Sequence, residues 1–273
     1  MPPRLSVITP ALNQARYIGQ TLDSVASLPF AHEHIVIDGG STDGTLELLR
    51  ERDDPSLVWV SEPDRGQTDA VNKGLRRARG DFVGWINADD EYVPEGVERA
   101  VEHLASSPDV GALYGFMEIT DEAGQLTRTY RPAAFNWNRY LWTGDYVPTT
   151  AIVFRRSLLA DRGLLDESFR DAADYDFYLR LFHGVRVDRL DTPLVRFRYH
   201  AESKTARDPG LGQREALEIR LRWARNGRDA AAMRAFDSAK QRVFSVVPPW
   251  PPGRLVTRAA DLVYRLRDHL SRG

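Results

Sequence analysis

Residues Gly80–Tyr92 read GDFVGWINADDEY, and this stretch decides the fold. Its apolar run, residues 82–86, is short and rich in β-forming residues, which is typical of a strand buried on both faces. The polar segment 87–90 follows at once and carries Asp89 and Asp90. A buried strand that ends in carboxylates delivers them to the rim of a sheet, where open α/β folds bind ligands.

The neighbouring carboxylates of Asp89 and Asp90 repel each other unless a cation or a set of donors lies between them. Divalent ions such as Mg²⁺ are usually held by one or two carboxylates, with substrate phosphates completing the coordination. The pair therefore predicts the metal–diphosphate corner of a nucleotide-dependent enzyme. The alternative for segment 87–90 on its own is a surface turn or a helix start, where Asn and Asp are common.

Strands and helices alternate before this corner, which predicts a parallel sheet flanked by helices. The segments concerned are 5–9, 34–37, 57–60 and 82–86 as strands and 67–78 as a helix. Because parallel strands end at one edge, Asp38, which follows the second strand, is expected near Asp89 and Asp90. A turn-forming role before Gly39 and Gly40 is the alternative for Asp38.

The composition is that of an ordinary soluble protein of 273 residues, with 42% hydrophobic and 28% charged residues. The absence of cysteine excludes disulfides, thiolate zinc sites and cysteine nucleophiles. Neither a signal peptide nor a membrane-spanning run is expected from the sequence. Residues 205–273 hold 14 Arg/Lys and 7 Asp/Glu of the 37 and 39 in the chain, so they carry +7 and residues 1–204 carry −9.

The second half of the chain has a further set of carboxylates and a histidine. A helix is predicted from Ala173, with Asp174 in its first turn, where the helix dipole favours an anion. A capping role explains one of Asp174 and Asp176 but does not require both. His200 follows a predicted strand, 194–199, and is either a ligand or a packed surface residue. The aromatic-rich segment 136–142 fits either a core or a stacking wall for sugar rings.

Residues 211–273 are predicted to be helical, with a proline-rich break at 248–252. The last helix is similar to an interfacial amphipathic helix, and packing on the domain or on a twin subunit is equally compatible with it. Peripheral membrane contact and a homodimer through these helices are therefore the two alternatives for this extension. The basic charge is also compatible with a nucleic-acid partner. No recognised nucleic-acid-binding module or aromatic platform accompanies it in the sequence, so no such partner is expected.

Several motifs follow one another in order along the chain: residues 5–10, VIDGGSTDGT at 36–45, QTDAVNKG at 67–74, NADD at 87–90, GLLDE at 163–167, DYD at 174–176 and RYH at 198–200. Together they resemble glycosyltransferase family 2, an inverting family with the GT-A fold. The resemblance covers roughly residues 4–204.

The resemblance implies roles for individual residues. Asp174 matches the catalytic base, Asp89 the metal-binding aspartate of the D-x-D signature, and His200 a residue near the metal or diphosphate. Asn87 stands where the first aspartate of that signature often does, and Ala173 stands where a glutamate often precedes the base. The residues expected to bind the nucleotide sugar are Thr9, Pro10, Asp38, Gln67, Asn72, Lys73, Asn87, Ala88 and Asp90.

We therefore expect a GT-A type, Rossmann-like, mostly parallel sheet with a helical carboxyl-terminal extension. Residues 1–204 would form the transferase domain, with a nucleotide-binding half (1–92) and an acceptor-binding half (93–204), and residues 205–273 the extension.

The expected reaction transfers a sugar from a nucleotide-diphosphate donor to a hydroxyl of a glycan, lipid-linked or protein acceptor, with inversion and with Mn²⁺ or Mg²⁺. The expected location is the cytoplasm or the inner face of the membrane, in polysaccharide, glycolipid or glycan assembly. A sugar-nucleotide pyrophosphorylase and a non-catalytic nucleotide-binding protein are the alternatives. The former would need a glycine-rich phosphate loop after the first strand, where the sequence has residues 11–14, ALNQ.

Overall fold

The computed structural model describes residues 3–143, 147–200 and 209–244. The chain divides into two compact units, which are described separately. The first comprises Met1–Phe135 and Val147–His200, and the second Asn136–Tyr146 and Ala201–Gly273.

Within the described residues, the first unit is built on one sheet of nine strands in the order β3-β2-β1-β4-β8-β6-β9-β5, with β7 paired to β6. The strands are β1 (Leu5–Ala11), β2 (His32–Asp38), β3 (Leu57–Ser61), β4 (Phe82–Trp85), β5 (Glu91–Tyr92), β6 (Val110–Thr120), β7 (Leu126–Tyr130), β8 (Ile152–Arg155) and β9 (Arg186–Arg198). The helices of this unit are α1 (Ile18–Ala26), α2 (Thr45–Arg50), α3 (Gln67–Arg77), α4 (Pro94–Ser106), α6 (Leu158–Arg162) and α7 (Ala173–Phe182).

The amino-terminal strands β3, β2, β1 and β4 are parallel neighbours, as the sequence predicts. Every residue of β1 and β4 is buried, because helices cover both faces of this part of the sheet. Strand β1 runs through Pro10 rather than ending before it. Since β4 ends at Trp85, opposite Ile8, the missing N–H of Pro10 has no strand on that side to bond.

In the second half of the sheet three strands, β5, β7 and β8, run against the others. Strand β8 is antiparallel to both β4 and β6, so β6 runs in the same direction as β1, and β9 lies parallel to β6. The carboxyl ends of β1, β2, β4, β6 and β9 therefore all lie at one edge of the sheet, here called the carboxyl edge. The mixed α/β sheet, mostly parallel and flanked by helices, confirms the predicted fold class.

The described part of the second unit is helical, comprising α5 (Trp137–Thr143), α8 (Pro209–Arg222) and α9 (Gly227–Phe244). The ring of Trp142 packs edge-on against Phe236 with centroids 5.6 Å apart, and Trp137 packs against Trp223 at 4.9 Å. The aromatic-rich segment thus contributes to the packing of this unit. None of the described helices is long and apolar enough to cross a membrane.

The predicted boundary at residue 204 remains a prediction, although the contacts group Asn136–Tyr146 with the carboxyl-terminal residues. The proline-rich break and the last amphipathic helix, within 245–273, lie outside the described residues.

Candidate functional site

The carboxyl edge brings together the first two groups of predicted site residues. Ala11 and Asp38 are partners in the β1–β2 register, and the N–H of Gly39 donates to the carbonyl of Ala11 at 2.9 Å. Strand β4 lies on the other side of β1 and ends just before the segment 87–90. Asp38 and the Asp89–Asp90 pair therefore leave the same edge of the sheet from strands on either side of β1.

Asp38 is completely buried and organises the loops around it. Its Oδ2 accepts the N–H groups of Gly40 and Ser41 at 2.9 and 3.0 Å and the hydroxyl of Ser61 at 2.7 Å, and its Oδ1 accepts the hydroxyl of Ser41. Burial opposes ionisation, but these donors outweigh it and hold the pKa of Asp38 below its usual value. Asp38 is therefore an ionised anchor for the loops at the ends of β2 and β3.

Thr9 and Pro10 lie in β1, also buried. The hydroxyl of Thr9 bonds the Nε2 of His34 at 2.9 Å across the β1–β2 pair. Burial, with a smaller contribution from His32, lowers the pKa of His34 to about 3, so this imidazole is neutral at ordinary pH. The hydroxyl of Thr9 is thus bonded to a neighbouring strand. The backbone of β1 is the part that is available to a ligand at the carboxyl edge.

Helix α3 links the predicted nucleotide-binding half (1–92) to the later residues of the first unit. The amide of Gln67 donates to Oδ1 of Asn87 at 3.0 Å. Asn72 is 1% exposed, and its amide bonds both the carbonyl and the N–H of Leu165, at 3.0 and 2.9 Å. Both predicted donor-binding amides, Gln67 and Asn72, therefore brace neighbouring segments of the site.

Lys73 supports the loop that precedes α3. Its ammonium group lies 3.1 Å from Glu62 and 3.6 Å from Asp69, and it donates to the carbonyl of Pro63 at 3.0 Å. Arg65, in the same loop, bonds Glu167 and Asp69. The loop is thus held on both sides by ion pairs.

The segment 87–90 forms a tight corner in which the two aspartates differ. Asp90 is completely buried, and its oxygens accept the N–H of Arg198 and the amide of Asn87, each at 3.1 Å. Burial raises the pKa of Asp90 well above its usual value, and the charge of Asp89 raises it further. Asp90 therefore supports the corner from beneath, and Asp89, which is partly exposed, is the carboxylate offered to a ligand.

His200 reaches the same corner from the end of β9. Its Nε2 lies 2.9 Å from Oδ2 of Asp89, and its ring packs against Tyr17 with centroids 4.8 Å apart. The ring is buried, and among the described residues no group hydrogen-bonds its Nδ1. The two residues that the sequence offers as metal ligands, Asp89 and His200, are thus in direct contact.

The chemistry of this pair fits a divalent cation. A carboxylate oxygen and an imidazole nitrogen, here 2.9 Å apart, are both ligand types that divalent metal ions accept in proteins. The described residues contain no cluster of three or more His, Cys, Asp or Glu side chains that could hold a metal alone. Two protein ligands with phosphate oxygens completing the shell is the usual arrangement for Mg²⁺-type sites.

Asp174 reaches the carboxyl edge through Thr149. Because β8 is antiparallel to β4, with Val153 opposite Gly84, the residues before β8 lie beside the end of β4. Thr149 is one of them, and its hydroxyl donates to Oδ2 of Asp174 at 2.8 Å. Asp174 is half-buried in the first turn of α7. Its carboxylate therefore lies at the carboxyl edge of the sheet, as the 87–90 corner does.

Asp176 has a different environment from Asp174. It is 4% exposed and forms an ion pair with Arg180 one turn along α7, at 2.8 Å. Arg180 in turn donates to the carbonyl of Leu164 at 2.8 Å. Asp176 thus fixes the helix to the preceding loop.

Arg198 belongs to the motif RYH at 198–200, but the sequence assigns it no role of its own. Its side chain is only 3% exposed, and it donates to four acceptors from three separate segments of the first unit. The three consecutive acidic residues Asp89, Asp90 and Glu91, taken together with the arginine of that motif, could have suggested this buried cation.

Comparison with known proteins places the chain in a family. The model of the family "Glycosyl transferase family 2" matches residues 6–163. An uncharacterized glycosyltransferase of Mycobacterium tuberculosis is 36% identical over 181 residues, which are 65% of this chain and 68% of the relative. The protein defined by this fold and these motifs belongs to glycosyltransferase family 2, and it is a glycosyltransferase.

More distant relatives are longer proteins of which this chain spans a small part. The O-antigen biosynthesis protein RfbC of Myxococcus xanthus is 29% identical over 242 residues, 84% of this chain and 18% of that protein. Chondroitin synthase of Escherichia coli is 27% identical over 187 residues, 66% of this chain and 26% of the synthase.

Solved structures share the fold. Residues 1–349 of S. aureus TarS in complex with UDP-GlcNAc match with a TM-score of 0.71 and 20% identity, over 98% of this chain and 86% of that one. The mannosyltransferase PcManGT from Pyrobaculum calidifontis, in complex with GDP-Man and Mn²⁺, matches with a TM-score of 0.57 and 21% identity, over 99% and 72%.

Proposed function

We propose that this chain transfers a hexose from a nucleotide-diphosphate sugar to an acceptor hydroxyl, with inversion at the anomeric carbon and with a divalent cation. One observation carries the proposal: Asp38, Asp89 and Asp174 come from distant segments and lie at one edge of the sheet. Family membership favours glycosyl transfer over the nucleotidyltransferase and non-catalytic alternatives.

Asp174 is the proposed base that accepts the proton of the attacking hydroxyl. A base must lie within hydrogen-bonding distance of that hydroxyl. Asp174 is half-buried, and its Oδ2 accepts the hydroxyl of Thr149 while its Oδ1 accepts the N–H of Tyr175. The burial of Asp176 and its ion pair with Arg180 favour Asp174 over Asp176 for this role. A single displacement with attack from the face opposite the leaving group inverts the anomeric centre.

Asp89 and His200 are the proposed protein ligands of the cation, Mn²⁺ or Mg²⁺, which would supply positive charge to the departing diphosphate. Asn87 lies beside them with its amide oxygen bonded by Gln67, so its orientation is fixed. Asp38 and the backbone of β1 at Thr9 and Pro10 define the proposed nucleobase end of the site.

The relatives support the substrate class. TarS and PcManGT are seen with UDP-GlcNAc and GDP-Man, and the second also with Mn²⁺. Relatives in O-antigen and chondroitin synthesis support a role in polysaccharide, glycolipid or glycan assembly, with a glycan, lipid-linked or protein acceptor.

A screen of UDP-, GDP- and dTDP-sugars for thermal stabilisation, with and without Mn²⁺, tests donor binding, because a ligand of the folded state raises its melting temperature. Release of nucleotide diphosphate from the stabilising donor then tests catalysis. Asp174→Asn is expected to keep the stabilisation and to lose turnover by roughly 10²-fold or more.

Glu95→Gln is the matched control, because Glu95 is an exposed acid in the first turn of another helix, α4. Turnover by Asp174→Asn at the level of Glu95→Gln would place the base elsewhere. Absence of stabilisation by every donor would overturn the donor class.

A further inference from the structure

Arg198 is a buried cation at the centre of the 87–91 turn. Its Nη2 donates to Oε1 of Glu91 at 2.7 Å and to the side-chain carbonyl of Gln20, its Nη1 donates to the carbonyl of Glu122 at 3.1 Å, and its Nε to the carbonyl of Asp89 at 3.3 Å. A charge this deep is costly unless its donors are bonded, and this guanidinium bonds acceptors on three sides.

The backbone of Arg198 adds a further contact to the same turn. Its peptide N–H donates to Oδ1 of Asp90 at 3.1 Å, so the main chain holds one aspartate while the side chain holds the carbonyl of Asp89 and the carboxylate of Glu91. The path of the turn is therefore fixed by this one residue at three successive positions.

Arg198 also acts on the histidine side of the corner. Its guanidinium lies over the ring of Tyr17, 5.4 Å from the centroid, and the same ring packs against His200, with centroids 4.8 Å apart. His200 in turn contacts Asp89, with its Nε2 2.9 Å from Oδ2 of the aspartate. Both members of the candidate cation pair are thus bounded by groups that Arg198 contacts.

The turn of the β6–β7 hairpin also contacts Arg198 and Tyr17. The turn of the β6–β7 hairpin is held by the bond from Arg198 to the carbonyl of Glu122 and by the bond from the hydroxyl of Tyr17 to Oε1 of Glu122, at 3.2 Å. The Cβ of a side chain at Gly124, where φ is +83°, would lie 3.3 Å from Nη1 of Arg198. The hairpin turn therefore packs closely over the guanidinium and keeps water from it.

We propose that Arg198 is a positioning residue that holds Asp89 and His200 in the arrangement that receives the divalent cation. Its guanidinium bonds protein acceptors, so in this proposal it acts through those two residues. The planar fork of arginine supplies donors in several directions at once, which the single ammonium of lysine cannot do from the same position. This inference rests on the proposed function, because it assumes that the Asp89–His200 pair binds a cation.

The test is calorimetric titration of Mn²⁺ into the full chain in the presence of UDP or GDP, with the variants Arg198→Lys and Arg198→Met. Residues that orient metal ligands typically cost 10–100-fold in affinity when changed, and we expect a rise of that order in the Mn²⁺ dissociation constant, larger for Arg198→Met. Arg196→Lys is the matched control, since Arg196 lies on the same strand but is exposed and paired with Glu118, and its change is expected to be within about two-fold.

The titration distinguishes positioning from misfolding. A partly unfolded variant shows fewer Mn²⁺ sites per chain with the dissociation constant unchanged, whereas a positioning defect shows the full number of sites with weaker binding. In turnover, the Mn²⁺ concentration at half-maximal rate is expected to rise while the rate at saturating Mn²⁺ falls less. Partial restoration of affinity in Arg198→Met by added guanidinium would support the inference further.

The outcomes separate this inference from the proposed function. Equal Mn²⁺ affinity in Arg198→Lys and Arg196→Lys, or a loss of sites alone, overturns the role of Arg198 and leaves the proposed function standing. If the wild-type chain binds no Mn²⁺ with either nucleotide, both the metal step and this inference fail.

Discussion

At the scale of single residues, aspartates that look alike in the sequence have different roles in the structure. Asp38 organises two loops, Asp90 is buried under the corner, and Asp89 and Asp174 keep partly exposed carboxylates. The sequence places all four after a strand or at a helix start, but it contains no information about how many donors each oxygen meets. That number, set by residues such as Ser61 from another strand, decides which carboxylate is available to a ligand.

The donors around Asp38 predict a pH-dependent loss of stability in Asp38→Asn. At neutral pH we expect the free energy of unfolding to fall by about 1–3 kcal/mol, since donors that face a carboxylate are left facing an amide. Because the folded pKa of Asp38 lies below its unfolded value, the contribution is full above about pH 4 and is lost as pH falls through the folded pKa. Urea unfolding of both proteins at pH 7 and at pH 3 measures it, with exposed Asp53→Asn as control. A difference that does not shrink in acid contradicts the prediction.

His34 also predicts a loss of stability in acid, but from a different cause, because burial disfavours its charged form. Its pKa of about 3 in the folded state lies below the unfolded value of about 6.5, so the unfolded state binds the proton more tightly. Stability is therefore expected to decline from about pH 6.5 downward, by up to about 1.4 kcal/mol per pH unit, and to level off near pH 3. His34→Gln, which can still bond Thr9, should remove this slope, whereas exposed His183→Gln should retain it. Parallel slopes in the two variants would disprove the assignment.

At the scale of elements, the sequence predicts the amino-terminal strands well because each is a short apolar run between turn residues. The strand predicted at 57–60 begins where β3 begins and ends one residue before it. Strand β9 is longer than its predicted apolar part and begins at Arg186, because Arg186, Asp188 and Arg189 keep their charged groups paired or exposed while the backbone pairs with β6. Polar residues on a long strand hide it from a search for apolar runs.

The packing of α4 on β9 predicts a specific intolerance. A Cβ at Gly96 would lie 1.9 Å from the carbonyl oxygen of Pro193, so Gly96→Ala must displace the helix from the strand. We expect a loss of about 1–3 kcal/mol in the free energy of unfolding, measured by urea denaturation. Gly227→Ala is the matched control, because a Cβ there meets nothing within 4 Å. Equal stability of the two variants would show that α4 is free to move away from β9.

At the scale of the whole molecule, the division into two units decides what a truncated chain can do. The family resemblance places a boundary at residue 204, and the net charge changes sign there, but neither reports which side chains pack together. Segment 136–143 packs on α8 and α9, which lie far away in the chain. Such a contact between distant segments leaves no local pattern in the sequence.

A chain that ends at residue 204 is therefore expected to lose solubility. It would retain Trp142, which is 7% exposed in the full chain, without Phe236, and Trp137 without Trp223. Large apolar groups exposed together promote association, so we expect stronger binding of the dye ANS and oligomers in light scattering. Full-length Phe236→Ala, which removes one partner and keeps the helices, should show a much smaller increase. A truncated chain that stays monomeric and binds no more dye than the full chain would mean that segment 136–143 packs adequately without α8 and α9.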